Sequence, residues 1–320
     1  MSVMASALLL LSVCTVIVAG LLNFFRAPLL APLAQLSPRV RIRWIVGLML
    51  TPLATGAAVV TLALGHCVMH HVMGTVEDCA VGGAVECAFC LFNPSPVSAV
   101  TATFAAVVGL GVMYRLSLIG LGFLHARRAR QRLSAVALCG PDGVWHVPGV
   151  RAFVIGWPSP VVCVGEKLVQ RLDPDAVRAV TAHEQGHQER GDLLLRALGR
   201  ALAMTHFSPV GAQLLASLDL AIEQACDEHA SSTVRDPLIV ADALILAARL
   251  QNEEEGSSPQ DTSHALAARI EALCAEPNGG QLPAWTRWTA RALVASAGLG
   301  VLLSHHIHQL VDQTIHWIHS

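Results

Sequence analysis

Long apolar segments alternate with polar ones along this chain of 320 residues. Four of the apolar segments have the length, about 20 residues, that a helix needs to cross about 30 Å of hydrocarbon. They cover residues 4–22, 44–64, 96–117 and 288–311, the last interrupted by His305, His306 and His308. The pattern therefore predicts four membrane-spanning helices.

The composition also indicates a membrane protein. Hydrophobic residues make up 53% of the chain and charged residues 14%, which is too apolar for an ordinary soluble domain. Basic residues follow the first span and do not precede it, so we expect a retained membrane helix and not a cleaved signal peptide. The lipid bilayer is thus an expected partner, whereas the net charge of −2 argues against direct nucleic-acid binding.

The distribution of arginine predicts how the chain is oriented. Arginines follow the first span and the third, whereas the connection 65–95 contains no lysine or arginine and three acids. Basic loops are retained on the cytoplasmic side of a membrane. We therefore expect both termini outside and the region between the third and fourth spans in the cytoplasm.

That cytoplasmic region, residues 133–284, begins with β-type runs and continues with helical periodicity. The β-type runs cover 135–139, 144–147, 152–155 and 161–164, and the helical segments cover 174–190, 192–205, 209–232, 236–251 and 262–275. The predicted fold class is an α+β membrane protein whose mainly helical, zincin-like domain carries a small antiparallel sheet. It lies between a three-helix membrane region, 1–132, and a fourth helix with a short external tail, 285–320.

The helix predicted at 174–190 contains the sequence His183-Glu184-Gln185-Gly186-His187, an HExxH motif. Two histidines four residues apart lie on one face of a helix, so both imidazoles can bind one zinc ion. Glu184 lies one position further round the helix, where its carboxylate can accept a proton from a metal-bound water. This motif is typical of zinc peptidases.

A catalytic zinc ion usually has a third protein ligand. Glu223, in the sequence Glu223-Gln224-Ala225-Cys226-Asp227, is the best candidate for that ligand. Asp227 lies one helical turn later and can accept the N–H of a ligand histidine, which would fix its tautomer.

Two further polar residues have more than one interpretation. His206 either packs between helices or donates to a substrate carbonyl or developing oxyanion, which would make it catalytic. Asp192 is most simply the N-cap of the helix that follows the motif.

The external connection contains Cys67, Cys79, Cys87 and Cys90. Outside the cytoplasm, four cysteines most simply form two disulfides. The alternative is that they act with the neighbouring histidines as a sensor of a soft metal or of redox state.

The chain resembles the BlaR/MecR-type membrane metallopeptidases of bacteria. The resemblance rests on the HExxH motif, on the spans that surround it, and on Phe153 to Gly156, His206 to Pro209 and Glu223 to Asp227. It implies that His183, His187 and Glu223 hold one zinc ion per chain, with Glu184 as the base. It also implies an inner-membrane endopeptidase that cleaves a BlaI/MecI-like repressor, or itself, in response to a signal.

The chain departs from that family after its last predicted span. Roughly nine residues follow Val311, whereas the antibiotic sensors carry a penicillin-binding domain there, so recognition of β-lactams has no support. HtpX-like quality-control proteases share HExxH and a downstream glutamate ligand, and they form the nearest alternative. A receptor that uses zinc only for stability is the non-enzymatic alternative.

Overall fold

The computed structural model describes residues 2–72, 99–255 and 260–275. The N-terminal part is helical, and a small sheet and six further helices follow the third long helix. The first helices are α1 (Ser2–Phe24), α2 (Arg26–Leu30), a 3-10 turn (Ala31–Gln35), α3 (Pro38–Val72) and α4 (Ala99–Leu133). The strands are β1 (Leu138–Cys139), β2 (Trp145–Val147), β3 (Ala152–Ile155) and β4 (Val161–Gly165). The remaining helices are α5 (Glu166–Arg171), α6 (Pro174–Arg190), α7 (Asp192–Ala203), α8 (Ser208–Val234), α9 (Pro237–Glu255) and α10 (Gln260–Cys274).

Three of the described helices are long and apolar enough to cross a membrane. The qualifying segments are Ala7–Phe24, Pro38–Gly65 and Ala102–Leu133; each overlaps one of the first three predicted spans, and the third extends 16 residues further toward the C-terminus than predicted. The fourth predicted span, 288–311, lies outside the described residues. Four spans and the predicted orientation therefore remain predictions.

Helices α1 and α3 pack closely because a glycine lies at their contact. A Cβ atom added at Gly56 would lie 2.9 Å from the carbonyl oxygen of Leu11. Small residues at such positions let membrane helices approach backbone to backbone. Among the described candidate spans, α1 and α3 therefore pack most closely against each other.

The sheet is mixed, and the prediction of a purely antiparallel sheet was wrong. Its strand order is β1-β2-β4-β3, in which β1–β2 and β3–β4 are antiparallel and β2–β4 are parallel. Two short turns produce the two hairpins, as the sequence pattern indicates. The parallel pair arises because β4 inserts between β2 and β3, which depends on a contact between hairpins that local sequence does not encode.

Helix α8 connects two separate hydrophobic cores. Its first half packs against membrane helix α3, where Leu214, Leu218 and Ile222 contact Ile45 and Met49 in one buried cluster. Its second half lies in a cluster formed by β4, α6 and α9, which contains Val162, Val180, Ala230 and Val240. Glu223 comes directly after the first group, so α8 places it at the boundary between the membrane helices and the polar domain.

Candidate metal centre

Helix α6 carries the HExxH motif in its interior. Asp173 caps its first turn by accepting a hydrogen bond of 2.8 Å from Ala176 N, and Pro174 occupies the first helical position. The helix ends where Gly191 adopts a left-handed conformation with φ 66°. These signals explain why the predicted and observed bounds, 174–190, agree.

Gly186 lies where α6 and α8 cross, at the centre of the motif. A Cβ atom added at Gly186 would lie 3.4 Å from His229 Cβ and 3.5 Å from Cys226 Cα. These are ordinary van der Waals distances, so the crossing does not require a glycine at this position, where alanine would gain about 1 kcal/mol in helix propensity.

The crossing brings both motif histidines to the carboxylate of Glu223. His183 Nε2 lies 3.4 Å from Glu223 Oε2, and His187 Nε2 lies 3.6 Å from Glu223 Oε1. Two imidazole nitrogens and one carboxylate oxygen form a donor set that zinc prefers in hydrolytic sites. The three residues thus fit the ligand roles expected from the sequence.

A buried carboxylate contacts the Nδ1 atom of each histidine. His183 Nδ1 lies 2.9 Å from Asp227 Oδ1, and His187 Nδ1 lies 2.7 Å from Asp192 Oδ2. When the Nδ1 atoms donate to these acids, the Nε2 lone pairs are left for a metal. The structure therefore brings Asp227 to the position expected for it.

Asp192 does not cap α7 as expected from its position. Gly191 is the N-cap, and Asp192 is the first residue of the helix. Its side chain is 1% exposed and contacts both His187 and Arg190, with 2.7 Å to Arg190 Nη2. The aspartate is a second histidine partner, and the only signal for it in the sequence is an acid five residues after His187.

Two arginines that no motif in the sequence marks lie beside Glu223. Arg269 Nη1, from α10, lies 3.0 Å from Glu223 Oε2. Arg196, from α7, donates to Glu223 Oε1. These cations compensate the carboxylate in the buried site, where an unpaired charge would be costly.

Cys226 also lies near the two histidines, but its thiol contacts the Nδ1 side of His187 and not the Nε2 side. The donor atoms of His183, His187 and Cys226 lie within 4.8 Å of one another, which is compatible with a metal. However, Cys226 Sγ lies 3.0 Å from Nδ1 of His187, the nitrogen that Asp192 engages. Burial holds the pKa of this thiol well above its usual range in the metal-free site, and the Nε2 atoms that remain for a metal face Glu223 instead.

The pKa values of the two glutamates in the site are shifted in opposite directions. Burial would raise the pKa of Glu223, but its hydrogen bond with His183 and the charge of Arg269 hold that pKa well below its usual range. Burial raises the pKa of Glu184, which makes its carboxylate a better proton acceptor. Burial lowers the pKa of His183, yet Asp227 and Glu223 overcome this and raise it to about 9 in the metal-free site.

A cavity of about 670 Å³ opens over these residues. Glu184 contributes to its floor, and Phe153 and Val154 of β3 form one side. Helices α9 and α10 form an apolar wall that includes Leu244 and Leu266. Strand β3 is at the edge of the described sheet, so its outer side is available for an extended peptide.

The other predicted site residues are not brought to this centre. His206 does not line the cavity, and its Nε2 lies 3.2 Å from the carbonyl oxygen of Met49 in α3. Cys67 belongs to the last turns of α3. Cys79, Cys87 and Cys90 lie outside the described residues.

This geometry brings the HExxH motif and a downstream glutamate together in a site compatible with a metal, and part of the chain is similar to a known peptidase family. Residues 140–256 match the model of peptidase family M48. The matched segment includes the HExxH motif, Glu223 and Asp227, whereas Arg269 lies beyond it.

Individual relatives are proteins named Protease HtpX. The chain is 38% identical over 65 residues to the proteins of Pseudomonas entomophila (strain L48) and Stutzerimonas stutzeri (strain A1501), which is 20% of this chain and 22% of each of them. The same values hold for Pseudomonas putida (strain GB-1). The chain thus matches about a fifth of the length of these curated relatives. No solved structure matches the chain.

The comparisons do not support the BlaR/MecR type specifically. They name the M48 family and HtpX, and HtpX-like proteases were the nearest alternative in the sequence. The BlaR/MecR resemblance rested on the HExxH motif, the spans around it and three further short segments, and all of these except the spans lie within the matched residues 140–256.

Proposed function

We propose that this protein is an integral-membrane zinc endopeptidase of the HtpX-like kind, acting on peptide bonds of membrane-proximal proteins. The observation that carries the proposal is the convergence of both motif Nε2 atoms on Glu223, at 3.4 and 3.6 Å, below a cavity that Glu184 lines. A site that only stabilised a receptor would need no cavity at its open side. Repressor cleavage has no specific support, since a BlaI/MecI-like partner follows only from the BlaR/MecR resemblance.

The chain's own residues supply the proton transfers. A bound zinc ion supplies Lewis-acid activation of a water and of the scissile carbonyl. Glu184 accepts the proton of the attacking water and returns it to the amine that leaves. Its burial at 8% exposure favours this role, because a raised pKa brings the carboxylate nearer to working pH.

The surrounding residues orient the two histidines and the substrate. Asp227 and Asp192 keep the imidazoles in the tautomer that presents Nε2 to the metal. An extended substrate can add to the outer edge of β3, where Phe153 and Val154 meet the cavity. The apolar wall from α9 and α10 favours hydrophobic side chains next to the cleaved bond.

The proposed location is the bacterial inner membrane, with the metal centre at its cytoplasmic face. The arginine-rich loops and the three apolar helices support this. Membrane quality control fits such a site, because misfolded membrane proteins expose hydrophobic segments at the same surface.

The test compares the full-length protein with Glu184→Gln in proteoliposomes. Glu189→Gln is the matched control, since Glu189 lies on the same helix with a side chain 66% exposed. We expect equal zinc content in all three proteins, and cleavage of a casein reporter in all but Glu184→Gln. Cleavage by Glu184→Gln would refute the mechanism, and stoichiometric zinc without cleavage by any of the proteins would favour the receptor.

A further inference from the structure

A second cavity, of about 610 Å³, lies between membrane helix α4 and helix α7. Leu118, Ile119 and Phe123 of α4 form one wall, and Ala197 and Ala201 of α7 form the other. Trp157, from the loop between β3 and β4, covers one end, and its ring centroid lies 4.8 Å from that of Phe123. We call this cavity the α4–α7 groove.

The polar side chains that line the α4–α7 groove are all arginines. They are Arg115, Arg196 and Arg200, and none of the described residues that line it is acidic. Arg196 is paired with Glu223 and Asp219. Arg115 contacts the sulfur of Met204, and neither Arg115 nor Arg200 has a carboxylate partner among the described residues. The groove therefore combines an apolar interior with two uncompensated positive charges at its rim.

The lining favours a lipid over an extended peptide. The groove is formed mainly by two helices, whose backbone groups are already paired along each helix. Arginine side chains only donate hydrogen bonds, so N–H groups of an entering peptide would find few acceptors in the α4–α7 groove. An acyl chain has no such groups, and a phosphate accepts from guanidinium groups.

The location agrees with this chemistry. Helix α4 is a candidate span whose window, Ala102–Leu133, is not buried against the rest of the described protein. Arg115 lies two residues before the cytoplasmic end of the span predicted at 96–117, at the level where phospholipid headgroups lie. Leu118 and Phe123 follow Arg115 on the cytoplasmic side of α4, so one acyl chain would turn out of the bilayer into the α4–α7 groove while the phosphate stays beside the arginines.

We propose that the α4–α7 groove binds an anionic phospholipid, with its phosphate on Arg115 and Arg200 and an acyl chain along α4 and α7. This proposal does not depend on peptidase activity. The site lies next to the metal centre, because Leu193 and Arg196 line both cavities. A lipid bound in the α4–α7 groove would therefore lie beside Arg196, the arginine that pairs with Glu223.

Trp157 supplies a direct readout of the acyl chain. The full-length protein is reconstituted in detergent micelles with brominated phosphatidylglycerol or with brominated phosphatidylcholine of the same chains. Bromine quenches nearby tryptophan fluorescence, and subtraction of Trp157→Phe isolates the signal of Trp157. We expect half-maximal quenching at roughly tenfold lower phosphatidylglycerol than phosphatidylcholine, since each arginine near the surface favours an anionic lipid.

Two variants and one control test the assignment of the site. Arg115→Gln with Arg200→Gln removes the charge and is expected to abolish the tenfold preference. Gly122→Leu fills the α4–α7 groove, because a Cβ atom there meets nothing within 4 Å, and it is expected to abolish the quenching itself. The control is Arg127→Gln with Arg128→Gln, two exposed arginines of the same helix that do not line the groove.

The outcomes separate the groove from a general surface charge. An equal loss of preference in the Arg127/Arg128 control would overturn the proposal, as would unchanged quenching in Gly122→Leu with retained helical circular dichroism. Displacement of the quenching by an apolar peptide equally with both lipids would assign the groove to a protein segment instead. Failure of the casein assay would leave these binding measurements unaffected, so the two proposals fail separately.

Discussion

Arg269 and Asp227 form a two-pronged ion pair behind the metal centre. Arg269 Nε donates to Asp227 Oδ2 at 2.8 Å, and Nη2 donates to Oδ1 at 2.7 Å. The same aspartate oxygen Oδ1 lies 2.9 Å from His183 Nδ1. Helix α10 thereby fixes the orientation of a motif histidine from 42 positions beyond Asp227 in the sequence.

Arg269→Ala is expected to destabilise the protein strongly. It leaves Asp227, with a side chain 2% exposed, as a buried charge without its main partner, and such losses cost about 3–5 kcal/mol. Arg269→Lys should recover only part of this, because lysine cannot reproduce the paired contacts. Thermal unfolding measures the effect. Arg178→Ala, which breaks an exposed pair with Asp175, serves as control and should cost at most about 1 kcal/mol.

Asp192→Asn and Asp227→Asn are each expected to weaken zinc binding by about 10- to 100-fold, because each removes the charge that holds one histidine. Competition with a chelator measures the affinity. Asp175→Asn, at an exposed position of the same domain, should have the affinity of the unmodified protein. An unchanged affinity in Asp192→Asn would remove Asp192 from the site, whatever the result for Asp227.

Two glycines are expected to respond in opposite ways to alanine. At Gly186 the added Cβ meets its neighbours at ordinary distances of 3.4 and 3.5 Å, so Gly186→Ala should be tolerated. At Gly211 the added Cβ would lie 2.4 Å from the carbonyl oxygen of Ala203, and Gly211→Ala should cost about 1–3 kcal/mol. Denaturant unfolding compares the two, and equal stability of both variants would contradict the described approach of α7 and α8.

The stability of the metal-free protein is expected to fall between pH 6.5 and about pH 9. Asp227 and Glu223 raise the pKa of His183 from 6.5 to about 9. A raised histidine pKa stabilises the fold fully below the unfolded value, and this contribution is lost as the pH rises through the folded value. The zinc-loaded protein should lack the decrease, because metal binding keeps His183 deprotonated. Unfolding curves with and without zinc at pH 6, 7.5 and 9 make the comparison.

Local sequence signals predicted the elements that carry the motif. The cap at Asp173, Pro174 and the glycine at 191 define α6, and apolar periodicity defines α8. The parallel pairing of β2 with β4 was not predicted, because it depends on a contact between two hairpins. The pairing of these two strands is therefore determined by tertiary contacts and not by local sequence signals.

The same distinction applies to the metal centre. His183, His187 and Glu223 belong to short motifs, so their spacing could be recognised in the sequence. Asp192 was assigned to a helix cap because that is the commonest local role of an aspartate before a helix. Arg269 belongs to a separate helix without a distinguishing pattern, and only the tertiary structure brings it to Asp227.

Helix α8 packs against the membrane helix α3 with one half and against the sheet domain with the other, and Glu223 lies between them. The metal site therefore depends on the packing of α8 against α3 and is not structurally independent of the membrane helices. Removal of α3 would expose Leu214, Leu218 and Ile222 to water and loosen the turn before Glu223. The packing of α8 thus couples the position of the membrane helix to the position of Glu223.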